Sequence, residues 1–293
     1  MRSDSLDLLG GPVHVADFGG DGDPMVLVHG LGGSHANWLA VAPQLAASFH
    51  VLAPDLAGFG LTPPAGRSAS VEANAALLTA LLDHIGRPVV LVGNSMGGLV
   101  SLLVAARSPH RVRALVLLDA ALPTPLRRRP NLAVLGAFAT YAVPGLGEAY
   151  VRRRAERLGP EGLVDETMKL CTVDASRIPR DVLEAHYELA RRRRAFPYAL
   201  DCYLEAARSI VRVLAQRRRM TALMRDVTSP TLVLSGDHDR LVDVAAARMA
   251  VRTCPSWRLE VYEGIGHLPM LEAPQRVVDS IVRFCDPARA DAA

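Results

Sequence analysis

Val89-Val90-Leu91-Val92-Gly93-Asn94-Ser95-Met96-Gly97-Gly98-Leu99 runs a short apolar stretch into a serine fenced by glycines. The apolar residues after Pro88 read as a buried parallel strand, and Met96 to Arg107 carries helical spacing. Gly93 to Gly97 is then the turn between them. A chain that passes from strand to helix within one residue forces Ser95 toward a strained, positive φ. That is tolerable only where Gly93 and Gly97 let strand and helix approach closely. Ser95 Oγ would stand clear of the backbone at the carboxyl end of a sheet, beside the positive end of a helix, where an alkoxide or a tetrahedral oxyanion is favoured.

Working outward, upstream alternation is regular. Leu6 to Leu9 and Val13 to Phe18 read as edge strands joined by Gly10-Gly11-Pro12. Met25-Val26-Leu27-Val28 is a strand that runs into His29-Gly30-Leu31-Gly32-Gly33, a loop whose glycines let backbone N–H groups approach a bound group. Asn37 to Ala47 is expected to be a helix with Trp38, Val41 and Leu45 on one side. Val51-Leu52-Ala53 is the next strand, closing in Pro54-Asp55-Leu56-Ala57-Gly58-Phe59-Gly60, where Asp55 reads as bonded to nearby backbone. Ser70 to Ile85 is an amphipathic helix capped by Ser70 and stopped by Gly86.

Downstream of the serine, Ala114 to Leu118 is a further strand. Five strands alternating with helices predict a parallel sheet covered on both faces. The alternation stops at Leu122-Pro123-Thr124-Pro125. From there to about Arg225 only helical patterns occur. Strands return at Thr231 to Ser235 and Arg258 to Tyr262, with helices over Asp243 to Arg252 and Pro274 to Phe284 and a frayed tail from Pro287 to Ala293. The interruption reads as a helical lid inserted into the sheet domain.

Composition sets limits. The chain has 293 residues, half of them hydrophobic, enough for a large core and too many for disorder. Its first residues carry no apolar run of signal-peptide length, so a cytoplasmic location is expected. Cys171, Cys202, Cys254 and Cys285 have no short paired spacing, which argues against a metal site or a disulfide framework. The net charge of +3 is uneven, because the stretch from Leu122 to Arg225 holds nineteen arginines and one lysine against eleven acidic residues. Arg127 to Arg129, Arg152 to Arg154, Arg191 to Arg194 and Arg217 to Arg219 form clusters that point several ways on a helix, so most are expected to be solvated. Nucleic acid is not an expected partner, since aromatic residues do not interleave with these runs.

With His29 to Gly33, Asp55 to Gly60, Gly93 to Gly98, Gly236-Asp237-His238-Asp239 and Gly266-His267 in view, the chain resembles the α/β-hydrolase superfamily, in its single-cap esterase and C–C hydrolase neighbourhood. The resemblance covers residues 6 to 121 and 226 to 285. It implies a mostly parallel eight-stranded sheet flanked by helices, with an inserted helical cap. The expected division is residues 1–121 for the first part of the core, 122–225 for the cap and 226–293 for the rest of the core.

The resemblance also implies a nucleophile, an acid and a histidine in that chain order. These are Ser95, an aspartate after the strand ending at Ser235, and His267. Family spacing places the acid at Asp239, with Asp237 as the alternative. An imidazole suits a proton transfer near neutrality, and the acid would fix its tautomer. The oxyanion hole carries over to the backbone N–H groups of Met96 and of Leu31 or Gly32. Gly30, Gly32, Leu135, Phe138 and Leu268 are the candidate substrate contacts. Pro130 to Gly147 carries no charge, and its Leu132, Val134, Leu135, Phe138 and Tyr141 are expected to line a channel for an apolar acyl or aryl group, in a segment too short and too proline-interrupted for stable membrane insertion.

The expected reaction is hydrolysis of a small carboxylic ester through an acyl-enzyme, with no metal and no cofactor. A serine at the elbow excludes the aspartate chemistry of halide- and epoxide-cleaving relatives. Leu268 stands where C–C hydrolases of ring-fission diketones usually carry tryptophan, so that activity is the alternative, together with perhydrolysis or acyl transfer. A ligand-binding protein on the same fold is the alternative of another class. The sequence sets no oligomeric state.

Overall fold

The computed structural model describes residues 1–125 and 131–285. The Arg127 to Arg129 cluster and the frayed tail expected from Pro287 lie outside the described residues. An eight-stranded sheet forms the centre, in the order β1-β2-β4-β3-β5-β6-β7-β8. Its strands are β1 (Arg2–Asp7), β2 (Pro12–Gly19), β3 (Asp23–Val28), β4 (Phe49–Pro54), β5 (Val89–Asn94), β6 (Val112–Leu118), β7 (Thr231–Gly236) and β8 (Arg258–Tyr262). β1 and β2 run antiparallel at one edge, and from β4 to β8 every pairing is parallel. β3, β5, β6 and β7 are buried along almost their whole length, as a sheet covered on both faces requires.

The helices are α1 (Ala42–Leu45), α2 (Val71–Ile85), α3 (Met96–Arg107), α4 (Leu132–Ala142), α5 (Leu146–Cys171), α6 (Arg180–Arg193), α7 (Ala199–Ala215), α8 (Arg217–Asp226), α9 (Val244–Thr253), α10 (Pro269–Glu272) and α11 (Pro274–Cys285). Leu78, Leu82, Leu99, Leu103 and Ala246 pack on one face of the sheet. Trp38, Leu45, Met270, Val277 and Ile281 pack on the other. Ser70 caps α2, accepting from Ala73 N–H at 3.3 Å, and Gly86 ends that helix at φ 70°.

The expected helix over Asn37 to Ala47 is replaced by a 3₁₀ turn at His35–Trp38 and the single turn of α1. Ser34 and Asn37 form a reciprocal cap that commits the chain to the tight turn, and Pro43 then starts the next segment. The first strand also ends earlier than Leu9, because Leu9 and Gly10 both turn at positive φ.

Among the described residues, five helices, α4 to α8, lie between β6 and β7. α5 breaks at Gly159, whose φ of 66° and ψ of 178° are not helical and which precedes Pro160. Among the described residues no single helix is long and apolar enough to cross a membrane.

Candidate active site

Ser95 follows β5 directly and caps α3 with φ 54° and ψ −120°. The strain is held on all sides: Ser95 N–H donates to Leu118 C=O at 3.1 Å, and its own C=O accepts from Leu99 and Ala121 N–H at 3.1 and 3.0 Å. The flanking glycines are steric requirements. A Cβ on Gly97 would lie 2.2 Å from Val28 O and 2.4 Å from His29 O, and one on Gly93 would lie 2.5 Å from Gly97 O.

Two loops converge on this turn. Asn94 Nδ2 donates to Leu118 O and to His267 O, each at 3.1 Å, so the residue preceding the serine also holds the histidine's backbone. His267 Nδ1–H donates to Asp239 Oδ2 at 2.6 Å, with both side chains almost wholly buried. Asp239 Oδ1 accepts from Leu241 and Val242 N–H at 2.7 and 3.0 Å, which fixes the carboxylate's orientation. Asp237 is turned elsewhere: its Oδ1 accepts from Gly264 N–H at 2.8 Å and pairs with the exposed His238.

The His-Gly loop is the third wall. Gly33 N–H closes it onto Gly30 C=O at 3.1 Å, and a Cβ on Gly30 would lie 3.0 Å from Ser95 Cβ. Leu31 sits at the corner of that turn. Met96 is the first residue of α3, so its N–H has no partner within the helix.

A model described as the alpha/beta hydrolase family matches residues 25–280. The chain belongs to that family. The hydrolase is 32% identical over 259 residues to the 2-hydroxy-6-oxo-2,4-heptadienoate hydrolase of Pseudomonas putida, covering 86% of this chain and 85% of that protein. It is 30% identical over 276 residues to the dihydrolipoyllysine-residue acetyltransferase component of an acetoin cleaving system, also of Pseudomonas putida. That match covers 92% of this chain but spans only 65% of the relative's length. Among solved structures, a thermophilic esterase from Thermogutta terrifontis superposes with a TM-score of 0.71 at 27% identity, over 97% of this chain and 98% of that one.

Beyond the residues expected from sequence, the hydrolase places Asp119 against the acid. Asp119 follows β6 at φ 41° and is buried. Its Oδ1 accepts from Gly236 N–H at 2.9 Å and Ser235 Oγ–H at 3.1 Å. Oδ2 is buried with no hydrogen-bond partner. Burial, and then the charge of the nearby Asp239, push the Asp119 carboxyl well above the usual range. Glu272 is the other residue that sequence did not single out. Its Oε1 accepts from Val173 and Asp174 N–H at 3.0 and 2.9 Å and its Oε2 from Gly266 N–H at 2.8 Å, tying the end of α5 to the histidine loop. In the same place His267 N–H donates to Cys171 C=O at 2.6 Å.

Asp55 is spent on its own loop and its neighbour. The fully buried carboxylate accepts from His35 N–H at 2.7 Å, Leu61 N–H at 2.8 Å and the His35 ring, and lies 2.9 Å from His14 Nδ1. Those bonds hold it well below the carboxylate range despite burial. His14, His35 and Asp55 bring ligand-type atoms within 4.8 Å of one another, and the carboxylate is already filled by these hydrogen bonds. His29 is neutral, pushed down to about 4 by burial, with Leu56 N–H donating to its Nε2 at 3.0 Å.

α4 and α7 pack together beside the His-Gly loop. Leu31 packs against a cluster built on Tyr141, Leu204 and Ala207, which Ala137, Phe138 and Tyr203 also join, and Tyr203 lies 3.3 Å from where a Cβ on Gly32 would stand. Phe138 and Tyr141 meet edge to face at 5.7 Å. α4 turns Val134, Ala137, Phe138 and Tyr141 inward, and Leu135 is half exposed on its flank. Leu268 is buried with Met168, Cys171 and Ile265 in the core layer behind the histidine loop.

Proposed function

We propose that the hydrolase cleaves carboxylic esters that carry an apolar acyl or aryl group, through an acyl-enzyme on Ser95. The observation that carries this reading is the His267 Nδ1 to Asp239 bond of 2.6 Å, presented by a loop whose backbone is held by the residue next to Ser95. In the proposed cycle His267 Nε2 takes the Ser95 Oγ proton as Oγ attacks the ester carbonyl carbon. The N–H groups of Met96 and Leu31 receive the developing oxyanion, and each such donor is worth on the order of 10²-fold in rate. His267 then returns the proton to the leaving alcohol, and water attacks the acyl-enzyme by the reverse route. Asp119, being neutral, leaves one negative charge at Asp239 to balance the imidazolium. Phe138, Tyr141, Leu31 and Tyr203 supply the apolar wall that selects the acyl group.

Hydrolysis of a C–C bond in a ring-fission diketone is the second reading, supported by the 32% identity to the heptadienoate hydrolase. The two differ in substrate rather than in the serine, histidine and acid. The test is turnover of a p-nitrophenyl ester series from acetate to decanoate, beside ultraviolet loss of a 2-hydroxy-6-oxo-dienoate, with a fluorophosphonate label located by mass spectrometry. The ester reading expects the label on Ser95, a turnover maximum above acetate, and no activity in Ser95→Ala. Faster loss of the dienoate than of every ester would transfer the assignment to the second reading.

A further inference from the structure

α4 is apolar around its whole circumference, yet only one side of it is covered. Helices of that composition are normally enclosed by protein or lipid. The inward side carries Val134, Ala137, Phe138 and Tyr141, and the outward side presents Leu132, Ala133, Leu135, Gly136, Ala139 and Ala142. Leu132 is 80% exposed and Leu135 50%. Past the helix end Val143, Leu146 and Tyr150 are exposed as well. Five of the ten large hydrophobic residues exposed among the described residues therefore fall between Leu132 and Tyr150. So dense an apolar patch marks a docking face.

Charge at its border narrows the partner. Between Asn131 and Tyr150 the one residue charged at neutral pH is Glu148, whose carboxylate is taken up by Arg208 at 2.9 Å and by Gly145 N–H. On the next turn of α5, Arg152 and Arg153 are exposed and, among the described residues, make no ion pair. An apolar face without net charge, rimmed by arginines free to meet phosphates, complements an anionic lipid surface.

We propose that the outer face of α4 and the start of α5 dock the hydrolase on anionic lipid bilayers, with Leu132, Leu135, Val143 and Leu146 entering the acyl boundary and Arg152 and Arg153 meeting headgroup phosphates. Docking is peripheral, and no helix crosses the bilayer. The opposite side of α4 joins the cluster that Leu31 packs against, so the lipid-facing helix adjoins the His-Gly loop. The inference goes beyond the proposed reaction and is tested without it.

The test is co-sedimentation of the full chain with phosphatidylcholine vesicles, with and without phosphatidylglycerol, at low and high salt. The expected result is partition onto the mixed vesicles, weakened by salt. Leu132→Asp with Leu146→Asp should lower the partition coefficient about tenfold or more on both vesicle types. Arg152→Gln with Arg153→Gln should lower it by about tenfold on the mixed vesicles and leave the neutral ones unchanged. Circular dichroism melts check that each variant folds, and if the leucine pair does not, the arginine pair decides alone. Wild-type chain that stays in the supernatant at low salt overturns the proposal, as does undiminished binding by a folded variant. A wild-type dimer that the leucine pair converts to a monomer, without vesicle binding, assigns the face to a second copy and overturns it equally.

Discussion

Asp119→Asn tests the upward shift that burial and Asp239 impose on the Asp119 carboxyl. In the folded chain Asp119 holds its proton well above its ordinary value of 3.8, because burial and Asp239 both oppose its charge. Above 3.8 the unfolded chain releases that proton while the native chain keeps it, so stability falls as pH rises. The contribution is fully present below the unfolded value and is lost as pH climbs to the folded one, at up to about 1.4 kcal/mol per pH unit. Asparagine keeps an acceptor for Gly236 N–H and Ser235 O–H and offers a permanent donor to Asp239. The difference in unfolding free energy, variant minus wild type, should therefore widen in the variant's favour as pH rises above 3.8, by up to about 1.4 kcal/mol per unit. Groups remote from Asp119 titrate alike in both chains and cancel, so the difference reports the Asp119, Asp239 and His267 set alone. Urea denaturation at a series of pH values measures this, and ester turnover should stay within a few-fold. A difference that is flat with pH, or that grows against the variant, would show Asp119 to be ionised and refute the reasoning.

Asn94→Ala removes the donor to His267 O and Leu118 O, and should lower kcat about tenfold or more with little change in KM, as steady-state kinetics on the best ester would read. Glu272→Ala strips the acceptor from three backbone N–H groups, so a loss of about 2 to 4 kcal/mol is expected by chemical denaturation, with Glu272→Gln recovering part of it. Gly97→Ala would press a methyl group into the Val28 and His29 carbonyls, and should abolish fluorophosphonate labelling or soluble expression, whereas Gly66→Ala, with open space around it, should keep the labelling at a small cost in stability.

The fold was legible wherever one residue type answers one steric demand. Gly93 and Gly97 left a strand-to-helix turn as the single reading, and the turn is where carbonyls come within 2.5 Å of any added Cβ. Continuous apolar runs located the parallel strands for a related reason, since strands buried on both faces are mostly apolar. Local capping was harder to weigh: Ser34 and Asn37 divert a segment with helical spacing into a 3₁₀ turn. The pairing of Asp119 with Asp239 joins residues 120 positions apart through the order of β6 and β7, and no local pattern encodes it. Residue spacing also could not orient α4, because a helix apolar all round has no preferred inner face until α7 and Leu31 select one.

The central claim is that the acyl group passes through Ser95. Acid-quenched intact-mass and peptide mass spectrometry of the hydrolase, mixed with a p-nitrophenyl ester of the preferred chain length, tests it most directly. The account predicts an acyl adduct on the peptide that holds Ser95, formed within the first turnover and absent from Ser95→Ala. Full turnover with the adduct on another residue, or undiminished turnover by Ser95→Ala, would contradict it.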